Sequence, residues 1–85
     1  MATRSACRKA LAHLKKQEWQ AAHAIVQSLD APLAHHIHAL AHRLEGDLGN
    51  ARYWYRRAHV RYDDSLEIDA EIEAIAATLE PQPAR

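Results

Sequence analysis

Apolar residues recur along this chain at helical spacing, in five stretches separated by turn signals. Cys7, Leu11 and Leu14 stand four and three apart and form one stripe. They predict a first helix that runs to residue 16, with Thr3 or Ser5 as its cap. Trp19, Ala22, Val26 and Leu29 share a face, with Ile25 beside them, and predict a second helix over 18–29. Asp30-Ala31-Pro32 then divides two helices. Asp30 suits a cap, and Pro32 suits a first turn, where its missing N–H is not needed. The third helix, over 32–45, carries Leu33, Ile37, Leu40 and Leu44, and Gly46 ends it as a left-handed residue. Asp47 caps a fourth helix, with Asn50 three residues on; Leu48, Ala51, Tyr55, Ala58 and Tyr62 form its inner stripe. Asp63-Asp64 opens the fifth, where Asp64 and Glu67 have capping-box spacing. Ile68, Ile72, Ile75 and Leu79 line its apolar face, and Glu67, Asp69, Glu71 and Glu73 occupy the rest. Pro81 and Pro83 end it, leaving 81–85 as a frayed tail.

This pattern predicts an all-α fold in one domain, 1–80. Two antiparallel helix-turn-helix units, 3–30 and 32–62, are followed by a closing helix over 64–80. Composition agrees: 18 of the 85 residues are Ala, and only Gly46 and Gly49 interrupt. A chain of this length buries only about 60–65% of its unfolded surface. Its stability is therefore expected to be modest, or shared with a second subunit.

Charge changes the picture more than composition does. The net charge is zero, yet residues 1–61 hold ten Lys/Arg and four Asp/Glu, whereas residues 62–85 hold one Arg and seven acids. The acidic end is expected to pack near the basic helices and attenuate their field. Nucleic-acid binding needs an uncompensated basic face, so a nucleic-acid partner is not expected. No stretch has the length of a signal peptide's apolar core or of a membrane span, and Cys7 is alone. Those features predict a soluble cytoplasmic protein with no membrane partner.

Shifted by 29 residues, the sequence partly matches itself. Ala10-Leu11-Ala12-His13 lies over Ala39-Leu40-Ala41-His42, Ala22 over Ala51, Trp19 over Leu48 and Val26 over Tyr55. A helix pair repeated at such a period is the signature of stacked α-repeats. The stretch from Glu45-Gly46-Asp47 through Tyr53-Trp54-Tyr55 to Ala58 resembles the turn and second helix of a tetratricopeptide repeat, with Gly46, Ala51, Tyr55 and Ala58 at the family's turn, small and aromatic places. The first unit keeps Trp19, Ala22 and Leu29 but has Gln17 at the glycine's place. The period is shorter than the family's, about 34. His13 and His42 stand where the family has a large aromatic, and His38 where it has Leu. The stretch 37–58 is also similar to a group of short proteins to which no activity is assigned. The resemblance implies a non-enzymatic interaction module, in which His36, Leu40 and Arg43 would face a peptide-holding groove.

Seven residues are histidines, and His35, His36, His38 and His42 fall in the third helix. His38 and His42 are i, i+4, a spacing at which two imidazoles can share zinc or another transition metal. Glu45 extends that face by a turn, and His23 could approach from the second helix. A metal site would thus draw on His23, His38, His42 and Glu45. The competing reading is that these histidines face a partner helix, neutral and hydrogen-bonded. Tyr53, Trp54, Arg57 and Arg61 flank the inner stripe of the fourth helix, and aromatics beside arginines are common in protein interfaces. Alternatively Trp54 packs beneath the fifth helix and the arginines pair with its acids. Catalysis has no signature: Cys7 and His13 lie on different helix faces, and Cys7 reads as a small core residue. No phosphate loop or serine elbow is present.

Two functions follow as expectations. One is a protein- or peptide-binding module that also forms a homodimer, without cofactor or enzymatic activity, through His36, Leu40, Arg43, Tyr53, Trp54, Arg57 and Arg61. The other is a histidine cluster that binds a transition metal or a small anion.

Overall fold

The computed structural model describes residues 2–79, which form α1 (Ala2–Lys15), α2 (Trp19–Val26), α3 (Pro32–Glu45), α4 (Leu48–Arg57) and α5 (Ile68–Leu79). The fold is all-α. The expected tail, and residue 80 of the expected closing helix, lie outside the described residues. No helix among the described residues is long and apolar enough to cross a membrane.

Three helix ends share one backbone solution. After α3, Gly46 N–H donates to the Arg43 carbonyl at 3.1 Å and Asp47 N–H to the His42 carbonyl at 2.9 Å, with Gly46 left-handed at φ 94°. After α1, Gln17 N–H donates to Leu14 at 2.9 Å and Glu18 N–H to His13 at 2.8 Å, with Gln17 at φ 63°. These bonds lie 29 positions before the others, so the self-match in sequence has a counterpart in the two turns. After α4, His59 and Val60 bond Arg56 and Tyr55, both at 3.0 Å, and His59 takes φ 61°. Such paired bonds satisfy carbonyls that a helix end leaves without partners, and only glycine takes the left-handed residue without strain. Asp47 then accepts from Asn50 N–H at 3.2 Å and caps α4 as expected.

Some boundaries differ from expectation. α2 stops at Val26, three residues before Leu29. Asp30 does not cap α3; Ala31 stands at that place, and the Asp30 carboxylate bonds His35 at 3.2 Å. The reversal at His59 ends α4 at Arg57, so Tyr62 lies in the connection to α5, where its ring still packs 5.0 Å from Tyr55. Leu48, expected in the inner stripe, is 44% exposed. The Asp64–Glu67 capping box does not form. Asp63 instead accepts from Ser65 N–H at 3.0 Å and Ser65 Oγ–H at 2.6 Å, and α5 begins at Ile68.

α3 is the central element. It packs against α1, α2, α4 and α5, and all its residues from Ala34 to His42 except His36 are buried. Cys7, Leu11 and Leu14 of α1, Ala22 and Val26 of α2, and Ile72, Ile75 and Leu79 of α5 complete a core around Ile37 and Leu40. Burial pushes the Cys7 thiol up from its ordinary pKa, as suits an inert core residue. A second cluster, Ala39, Ala51 and Tyr55, joins α3 to α4.

The acidic end does pack on the basic helices, chiefly through one residue. Glu71, expected among the solvated acids, is 8% exposed. It accepts from Arg43 Nη1 at 2.6 Å and from the Tyr55 hydroxyl at 2.9 and 3.0 Å, and it lies 3.0 Å from His36 Nε2. Arg4 and Arg8 donate to the Leu79 carbonyl, where cations complement the negative end of α5. Ile72, Ile75 and Leu79 each contribute about 1.5–3 kcal/mol by leaving water. Together these contacts place α5 over the surface where a groove was expected.

Glu71→Ala leaves the Arg43 guanidinium without its buried carboxylate and is expected to cost about 3–5 kcal/mol in urea denaturation. The turns give an opposite-signed pair. No atom would meet a Cβ on Gly46 within 4 Å, so Gly46→Ala tests backbone strain alone. It should lower stability by about 1 kcal/mol, and Gln17→Gly should raise it by a similar amount, both read from the thermal midpoint.

Candidate functional site

α2 and α3 meet along a line that brings three histidines together. His38 and His42 lie one turn apart on α3 and stack with ring centroids 5.0 Å apart at 24°. His23 of α2 stands edge-on to both, 4.5 Å from His38 and 5.1 Å from His42. One ring nitrogen from each lies within 4.8 Å of the other two. His38 and His42 are buried and His23 is half-buried.

Trp54 of α4 also stacks on the His38 ring, at 3.9 Å and 12°. His35 lies 5.1 Å from the same indole. The Arg57 guanidinium sits 5.3 Å over Trp54 and donates to the Tyr53 hydroxyl at 3.1 Å. Trp54 therefore packs on the histidines of α3 rather than beneath α5. Sequence reading gave Trp54 either a partner surface or a place beneath the fifth helix and missed its stacking on His38. The signal was the position of Trp54 directly before Tyr55 of the inner stripe, which leaves the indole beside α3.

Proton positions follow from the partners. The Glu45 carboxylate can only accept when ionised, so at 2.8 Å it fixes the proton of His42 on Nδ1. The Nε2 lone pair of His42 is then free to ligate, and Glu45 orients the ring. Nδ1 of His38 is buried and, like Nδ1 of His35, has no hydrogen-bond partner among the described residues. Burial, followed by the neighbouring His23, His42 and His35, lowers the His38 pKa to about 3. Burial and then His42 also lower that of His23, against a smaller opposing effect of Glu45. Both imidazoles are therefore biased toward the neutral form, the one that binds metals. Glu45 thus stands behind His42. A second potential ligand group, His42 with exposed Glu45 and Asp47, shares that histidine.

The expected partner-binding residues separate into two sets. Leu40 is fully buried, His36 and Arg43 are held by Glu71, and Arg43 Nη2 also donates to the Leu66 carbonyl at 2.9 Å. These three therefore do not line an open groove, because α5 lies across them. Tyr53, Arg57 and Arg61 are exposed, and Trp54 is half-buried. His13, the counterpart of His42 at the 29-residue offset, lies 2.7 Å from the Glu18 carboxylate and belongs to no histidine cluster.

Compared with known proteins, the chain matches no family model, no curated protein and no solved structure.

The low pKa of His38 has a signed consequence for the metal-free protein. The unfolded chain takes up this proton near pH 6.5, the folded chain only near 3. Stability from the neutral ring is therefore complete above about pH 6.5 and falls as the pH drops toward 3. Urea denaturation in chelator across that window should show this decline, and His38→Phe, which keeps a ring on Trp54, should flatten it.

Proposed function

We propose that this protein binds a transition-metal ion through His23, His38 and His42. The observation that carries the reading is the convergence of three imidazoles from two helices within ligating reach. A tetrahedral zinc site with bonds of 2.0–2.1 Å separates its ligand nitrogens by about 3.4 Å, so small ring rotations close this cluster on an ion. Support also comes from the carboxylate behind His42, from the unpartnered ring nitrogen of His38, and from the bias of His23 and His38 toward neutrality. Imidazole ligands suit zinc, copper and nickel.

Three protein ligands leave a coordination position for water or a small anion. Structural zinc sites fill four positions with side chains, whereas three-ligand sites leave one for exchange. The donor set therefore favours an ion that meets a small ligand over one that serves as a brace alone. The repeat-like reading, a peptide held against His36, Leu40 and Arg43, has less support, since α5 occupies that surface.

Competition with a chromophoric chelator should show one zinc per chain and a melting temperature that rises with free zinc. His23→Ala, at the half-buried position, should remove binding while the fold persists. Glu45→Gln should weaken binding by about 10–100-fold. His13→Ala and His59→Ala should leave it unchanged. No uptake at near-stoichiometric zinc, or equal losses in all of these variants, rejects the site.

A further inference from the structure

The basic and acidic parts of the chain satisfy one another only in part. From Leu48 to Tyr62 the sequence holds Arg52, Arg56, Arg57 and Arg61 and no acid. All four arginines are exposed, and among the described residues none has a carboxylate within 4.0 Å. Arg56, Arg57, His59 and Tyr53 border a shallow depression at the end of α4, where Tyr53 is 42% exposed. The start of α5 is the opposite: Glu67 and Asp69 are exposed and, among the described residues, pair with no cation. Within one copy these two surfaces do not meet, because the α4 backbone runs beside α3 alone.

We infer that this protein self-associates by seating the α4 face of one copy, Tyr53 with Arg56 and Arg57, on Glu67, just before α5, and Asp69 of α5 in another. Charge complementarity selects a second copy as the occupant. The whole chain is neutral, with an isoelectric point near 7.1, so two copies approach at neutral pH without net repulsion. The unequal distribution of that charge orients the approach. Tyr53 supplies the apolar contact area that exposed ion pairs lack. Because the two surfaces differ, a reciprocal contact closes a dimer, and a single contact leaves one free surface at each end. This association is independent of the metal site.

Sedimentation equilibrium of the full chain, in chelator, tests it. Raising the salt from about 0.01 M to about 1 M shortens the screening length from about 30 Å to about 3 Å. The association constant should fall at least about tenfold over that range, since each 1.4 kcal/mol of screened attraction is a factor of ten. Arg56→Glu with Arg57→Glu should abolish self-association, as should Glu67→Lys with Asp69→Lys; circular dichroism checks that each variant stays folded. In an equimolar mixture of the two double variants the introduced glutamates face the introduced lysines and the native arginines face the native acids, so the mixture should associate although neither variant does alone. The quadruple variant, which restores opposite charges with signs reversed, should associate again. Three results would overturn the proposal: a strict monomer at low salt, association indifferent to salt, or a quadruple variant that stays monomeric. Binding of a labelled single-stranded oligonucleotide to the α4 face of a protein that stays monomeric would also overturn it, and would assign that face to a polyanion.

Discussion

Burying a helix on nearly every side forces its polar side chains to find partners inside the protein, and α3 carries five of them: His35, His36, His38, His42 and Arg43. The other helices are arranged around these demands. Glu71 of α5 takes His36 and Arg43, and Glu45 takes His42. Asp30 takes one nitrogen of His35. His38 has an indole on one face and two imidazoles around it, with a ring nitrogen that nothing accepts or donates to. Nδ1 of His35 is buried and, among the described residues, without a partner as well, but only His38 has two further imidazoles against its ring, which is where a ligand has most to offer.

The two sides of α3 thus do different work. Toward α5 the polar groups are charged and mutually satisfied, and they fasten a helix whose remaining contacts are apolar. Toward α2 they are His38, which burial biases to neutrality beside the likewise biased His23, and His42, whose Nδ1 lies against Glu45. A helix buried between two such surfaces has one chemistry for holding the fold and another that, on the function proposed, would meet a small ligand.

Much of this was legible in the residues. Pro32 and Gly46 bounded α3 because their backbone preferences act locally. The i, i+4 spacing of His38 and His42 put both on one face, and a short turn made His23 a plausible third member. What escaped depended on distant packing. Nothing local marks His59 as a reversal point, so α4 read as longer than it is. Glu71 read as one more solvated acid, although its place three residues after Ile68 put it on the apolar face. Its burial depends on Arg43 and Tyr55, which lie far away in sequence. The open groove was an inference from repeat architecture, and α5 covers it.

The histidine cluster joins the first two helices of the chain to the third and fourth. The turn after α1 and the turn after α3 each link helices that are neighbours in sequence, so each pair can form through local contacts and fast chain closure. His23 meets His38 and His42 where the two pairs dock, and Trp54 stacks on His38 from α4. An ion held there would bind the docked helices and not the unfolded chain, so it would stabilise the native state. To the extent that this gain is absent from the folding transition state it would slow unfolding, giving the loaded protein a long native lifetime out of proportion to its small core.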